Sequence, residues 1–187
     1  MWDLSLHILD VIEKSVRAGA TRVSVTLSSD RNNDLVCLVV QDDGSERRAI
    51  PEEVLRPRRR KSCGDARDGL SLLRATASKA GGGLTAAPSD LGGVALVAML
   101  RRDLVDRGSF GNIPATFESV ASTHPGLDLE CRLSGDGREI VCRSEENPGA
   151  DATDTRRVTA AARDLSARIR DALRELGITA AGERKVG

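Results

Sequence analysis

Apolar side chains recur every three or four residues from the start of the chain. Leu6, Leu9, Ile12 (or Glu13) and Val16 mark a first amphipathic helix, and Gly19 stops it. The period then changes to two. Val23, Val25 and Leu27 alternate with polar residues over Thr21–Ser28, which predicts a strand with one covered face. After the turn residues Asp30 to Asp34, the almost continuous apolar run Leu35–Val40 predicts a second strand, buried on both faces. Asp42, Asp43 and Gly44 lead the chain out of the hairpin.

Residues 45–67 are polar, basic and broken by proline, with a short helix expected at Pro51–Leu55. A helical spacing returns at Gly69–Lys79 with Leu70, Leu73 and Ala77, and Gly81, Gly82 and Gly83 end it. Leu84–Ala87 and Val94–Leu100 read as two further strands. A smaller unit follows. A helix is expected at Ile113–Ser122, then strands at Leu127–Leu133 and Arg138–Arg143 around the hairpin signal Ser134-Gly135-Asp136-Gly137. Glu145–Asp154 reads as a mobile polar linker. Thr155–Leu176 carries Val158, Ala161, Leu165, Ile169 and Leu173 along one stripe of a long helix, and the last ten residues read as a tail. The expected organisation is therefore an α+β domain over 1–102, an αββ unit over 103–144, a linker over 145–154, and a helix and tail over 155–187.

Composition narrows the function classes. The chain has 187 residues, with 28 basic and 28 acidic side chains, so no net field draws it to nucleic acid or anionic lipid. Aromatic residues make up 2%, which removes the stacking platforms that single-stranded nucleic acid needs. No apolar run is long enough for a membrane span. Asp3, Asp10 and Glu13 interrupt the first apolar stretch, so it does not read as a signal peptide and a cytoplasmic location is expected. The four cysteines, Cys37, Cys63, Cys131 and Cys142, form no C-x-x-C pair, and His7 and His124 lie far from them in sequence. The expectation is reduced thiols and no metal site in this chain.

The order helix, hairpin, Asp-Asp-Gly turn, basic loop, glycine-led helix, hairpin resembles the ATP-binding fold of the histidine-kinase-like (GHKL) superfamily, which histidine kinases share with heat-shock chaperones, DNA gyrase and mismatch-repair ATPases. Within it, the first ten residues (MWDLSLHILD) followed by Glu13-Lys14-Ser15-Val16-Arg17-Ala18-Gly19-Ala20 look like the small stand-alone bacterial members encoded beside iron-only hydrogenase and NADH-dehydrogenase-like subunits. The resemblance covers about residues 1–102. It implies an α/β sandwich and a set of roles. Glu13 matches the family's general base, and Lys14 falls where an Asn ligates Mg²⁺. Lysine has no lone pair to offer a metal, but its ammonium can stand where the cation would and meet a phosphate. Asp42 matches the adenine reader of a D-x-G-x-G turn with Gly44, while Glu46 replaces its second glycine. Gly69 opens the phosphate-side helix, with one glycine of that loop missing. Gly93 matches the late G-x-G-T stretch, where Val94 replaces the threonine.

Each motif is thus altered in one part. The expected function is that of a pseudoenzyme, a non-catalytic accessory subunit docking onto a cytoplasmic redox complex whose flavin and iron–sulfur groups sit in partner subunits. No cofactor and no Mg²⁺ is expected in this chain. Arg58, Arg59, Arg60 and Lys61 are the candidate partner contacts, against the plainer reading of a solvated loop. The alternative is an ATP- or ADP-binding regulator: a slow ATPase, an anti-sigma-type serine kinase or a nucleotide sensor.

Overall fold

A computed structural model describes residues 3–44, 69–103, 110–144 and 154–178. The helix expected at Pro51–Leu55, Glu46, Cys63, the basic run 56–61, most of the linker and the tail lie outside the described residues.

Helix α1 (Leu4–Arg17) begins at Asp3, whose carboxylate accepts from the backbone N–H of Ser5 at 3.0 Å and from its hydroxyl at 2.6 Å. It ends where Gly19 takes φ +82°. Strands β1 (Arg22–Asp30) and β2 (Leu35–Asp42) form the first hairpin. Helix α2 (Gly69–Lys79) leads to β3 (Gly83–Pro88) and β4 (Val94–Arg101). Helix α3 (Ile113–Thr123), strands β5 (Asp128–Gly135) and β6 (Arg138–Arg143), and helix α4 (Thr155–Glu175) complete the α+β fold.

The strands form one mixed sheet in the order β3-β4-β2-β1-β5-β6. Every neighbouring pair is antiparallel except β1 and β5, which run parallel from Arg22↔Asp128 to Ser29↔Gly135. The segment expected as a separate αββ unit therefore extends the same sheet. It also holds α1, since Ser5 N–H donates to the Phe110 carbonyl at 3.1 Å.

One continuous core joins Ile8 and Ile12 of α1, Leu73 of α2, Phe117 of α3 and Ile169 of α4 to Val25, Leu38, Leu100 and Leu133 of the sheet. All four helices thus cover the same sheet face. Two details differ from the sequence expectation. In α1 the buried stripe is Leu4, Ile8, Val11, Ile12 and Ser15, whereas Leu6 is 60% exposed. The buried stripe is rotated from the expected one because α1 is wedged between two helices and the sheet, so apolar residues occur on more than one side. In β2 only Val36, Leu38 and Val40 are buried, while Leu35, Cys37 and Val39 are half-buried. They point to the sheet face that no helix among the described residues covers.

The stripe of α4 packs on this domain. Ala162, Leu165, Ile169 and Ala172 are buried against the rest of the core. Among the described residues no helix is long and apolar enough to cross a membrane.

Candidate functional site

The C-terminal end of α1, the end of β2 and the start of β4 meet at Asp42. Its Oδ2 accepts from the Ser15 hydroxyl at 2.6 Å. Its Oδ1 accepts from the backbone N–H of Gly44 and of Val94, each at 3.1 Å. The Asp42 carbonyl in turn accepts from Gly93 N–H at 3.0 Å. A carboxylate offers about four acceptor positions. Among the described residues three are filled, which leaves one on Oδ2.

Gly93 is required by this packing. A Cβ there would stand 2.2 Å from Asp42 Oδ1 and 2.7 Å from Gly44 N. Gly44 is less crowded, with 3.3 Å to Asp42 Oδ1 and 3.4 Å to the Ala18 carbonyl. Val94 has no hydroxyl to offer, yet its backbone N–H reaches the Asp42 carboxylate, and Ser15 supplies a hydroxyl from another element.

Asp43 is a turn anchor. It accepts from the Thr21 hydroxyl at 2.6 Å and from the N–H groups of Thr21 and Arg22 at 2.8 and 2.9 Å. Burial pushes its carboxyl up, but these donors outweigh burial and hold it below the usual carboxylate range.

Glu13 and Lys14 point to different sides of α1. Glu13 Oε1 lies 3.1 Å from His124 Nε2, at the C-terminal cap of α3. Lys14 Nζ lies 2.9 Å from Asp10 Oδ2, one helical turn earlier. The carboxylate that meets Lys14 is therefore Asp10, while Glu13 is engaged with the α3 side. On the other flank His7 is buried and its Nε2 lies 3.2 Å from Thr76 Oγ1 of α2. Burial lowers the His7 pKa, against the opposing pull of Asp10 and Asp3. His7 is thus a packing residue between helices. This contact joins an early turn of α1 to a late turn of α2.

The structure brings Asp42, Gly44 and Gly93 into one cluster, with Lys14 on the same end of α1. It sets Glu13 apart. Arg58, Arg59, Arg60 and Lys61 lie outside the described residues. Sequence reasoning missed Ser15, Asp10 and His124. Ser15 left a signal, being a polar residue on the apolar stripe of α1, where a buried hydroxyl needs a partner. His124 left none, because it is 111 residues from Glu13. Among the described residues no group of three or more His, Cys, Asp or Glu is placed to hold a metal ion.

No protein-family model matches the chain, and no curated protein matches it. Among solved structures it is similar to one described as the N-terminal domain of a DNA repair protein, at 9% identity and a TM-score of 0.49. The match covers 87% of this chain and 57% of that one. A likeness of this degree carries no functional argument.

Proposed function

We propose that the chain is a degenerate histidine-kinase-type ATPase module that acts as a non-catalytic accessory protein. The supporting observation is the internal pairing of its nominal site. Asp42 is held by Ser15, Gly44 and Val94, Lys14 stands against Asp10, and Glu13 stands against His124. A general base needs access to a water, and Glu13 faces α3 rather than the Asp42 cluster. The function is then binding another protein, and the sequence resemblance suggests a cytoplasmic redox assembly with flavin and iron–sulfur subunits. Such a partner would meet the sheet face carrying Cys37, Val39, Val97 and Met99, which no helix among the described residues covers and where Met99 is 44% exposed.

A second reading rests on the remaining acceptor position of Asp42 Oδ2. It suits a single amino-group donor such as adenine, and Gly44 and Gly93 keep the backbone close there. The chain would then sense ATP or ADP without turning it over, with Lys14 in place of a metal.

Calorimetric titration with ATP and ADP, with and without Mg²⁺, separates the two. The accessory role predicts no heat at millimolar nucleotide. Micromolar binding that Asp42→Ala abolishes would overturn it in favour of the sensor. Purification from the native host would then show whether flavin or iron–sulfur proteins are retained.

A further inference from the structure

The sheet ends on β3 at one side and on β6 at the other, and no strand lies beyond either among the described residues. An edge strand offers its outward backbone groups to another chain. The two edges differ. On β3, Ser89 N–H donates to the opposed Gly93 carbonyl at 3.0 Å. Hydrogen-bonded and non-hydrogen-bonded pairs alternate along an antiparallel ladder, so Leu84, Ala86 and Pro88 turn their backbone groups outward. Pro88 has no N–H to offer, which blunts that edge. On β6, Ser144 N–H donates to the opposed Leu129 carbonyl at 2.8 Å. By the same alternation Arg138, Ile140 and Cys142 bond to β5, while Glu139, Val141 and Arg143 face outward. Arg168 of α4 agrees with this direction, since its Nη2 donates to the Arg143 carbonyl at 2.9 Å. No proline interrupts this edge.

Glu139, Val141 and Arg143 also share one sheet face, opposite the face on which Cys142 is buried. From 139 to 143 they run acidic, apolar, basic, and that order is its own complement when reversed. Val141 is 42% exposed, and the side chains of Glu139 and Arg143 are 52% and 53% exposed. We infer that β6 pairs antiparallel with β6 of a second copy, about a two-fold axis at Val141, so that one sheet continues across a dimer. In this register Glu139 meets Arg143 of the second copy, and Val141 meets Val141. These are the residues whose N–H and C=O groups point outward. A slip of two residues either way keeps outward groups opposed but sets a charged side chain against Val141. Glu139 stands 3.7 Å from Arg132 of its own chain, and Arg143 donates from Nε to Glu130. Both keep capacity for a partner, because a carboxylate has about four acceptor positions and a guanidinium five donors. The Arg143 carbonyl likewise has a second lone pair beside the one that Arg168 uses.

Sedimentation velocity of the full chain over a concentration series is the first measurement. A dimer that grows with concentration is expected, and a weak one, because a strand edge this short lies at the low end of interface sizes. Amide exchange on the same samples reads the register. The N–H groups of Glu139, Val141 and Arg143 are expected to exchange more slowly as the dimer fills, and those of Leu84 and Ala86 on β3 are not. Val141→Pro removes an outward N–H without taking a bond from β5. Glu139→Arg sets like charges opposite each other at both ends of the paired strands. Two-fold symmetry applies each change twice, so each is expected to weaken the dimer about tenfold with the circular dichroism kept. Should Val141→Pro fail to fold, Glu139→Arg and the amide rates decide. A chain that stays monomeric at every concentration would overturn the inference. So would a dimer that Glu139→Arg leaves intact, or one whose β6 amides exchange at the monomer's rate, since its contact would lie on another face.

Discussion

Ser15 and Gly93 hold Asp42 in different ways, and their substitutions separate the two. Ser15→Ala removes one donor to a carboxylate that keeps two backbone donors. A hydrogen bond to a charged group contributes about 1.5–3 kcal/mol, and a loss near the lower end is expected in urea unfolding, with the fold kept. Gly93→Ala places a methyl group 2.2 Å from Asp42 Oδ1 and 2.7 Å from backbone at Asp42 and Gly44. Backbone cannot swing aside as a flexible side chain can. A loss of about 3 kcal/mol is expected, at the upper end for overpacking. If Gly93→Ala unfolds at the same urea concentration as the parent, the tight cluster around Asp42 is wrong.

At the scale of elements, His7 joins α1 to α2 and gives that joint a pH dependence. Its folded pKa lies below the unfolded value of 6.5, so the neutral ring is the form that the fold favours. The stability linked to it is present above about pH 6.5 and is lost as pH falls through the lower folded pKa. The carboxylates held low by their partners, Asp30, Asp34, Asp43 and Glu130, release their share only in a more acidic range. Between pH 7.5 and 5.5 the parent is expected to lose stability that His7→Gln does not lose. Equal losses in the two proteins would remove His7 from this role. The strand and helix spans were legible because each element carries its own period and punctuation. Gly69–Lys79 and Arg138–Arg143 stand as read, down to both bounds. The phase of α1 was not legible, since a helix packed on three sides places apolar residues around most of its circumference.

For the whole molecule, α4 decides whether the sheet and its other helices have a closed core. Leu165 and Ile169 are buried in the same cluster as Phe117, Leu129 and Leu133. A chain ending at residue 144 would expose these side chains together. It is expected to bind a hydrophobic dye and to melt without cooperativity, while the full chain melts in one transition. A sharp, dye-free transition for the shortened chain would show that α4 is an appendage. The sequence left this open, because an amphipathic stripe reads the same whether its cover is its own domain or a partner.

The sequence by itself determined the α+β class, the hairpins, the turn chemistry and the Asp-Asp-Gly and glycine positions, because each depends on neighbours within a few residues. Tertiary structure alone decided that β5 lies parallel to β1, that Asp42 is held by Ser15 and two backbone N–H groups, and that Glu13 turns to His124 while Lys14 meets Asp10. The Ser15–Asp42 and Glu13–His124 contacts join residues 27 and 111 positions apart, and the Lys14–Asp10 pair rests on which side of α1 faces its neighbours. Local periodicity carries no information about either.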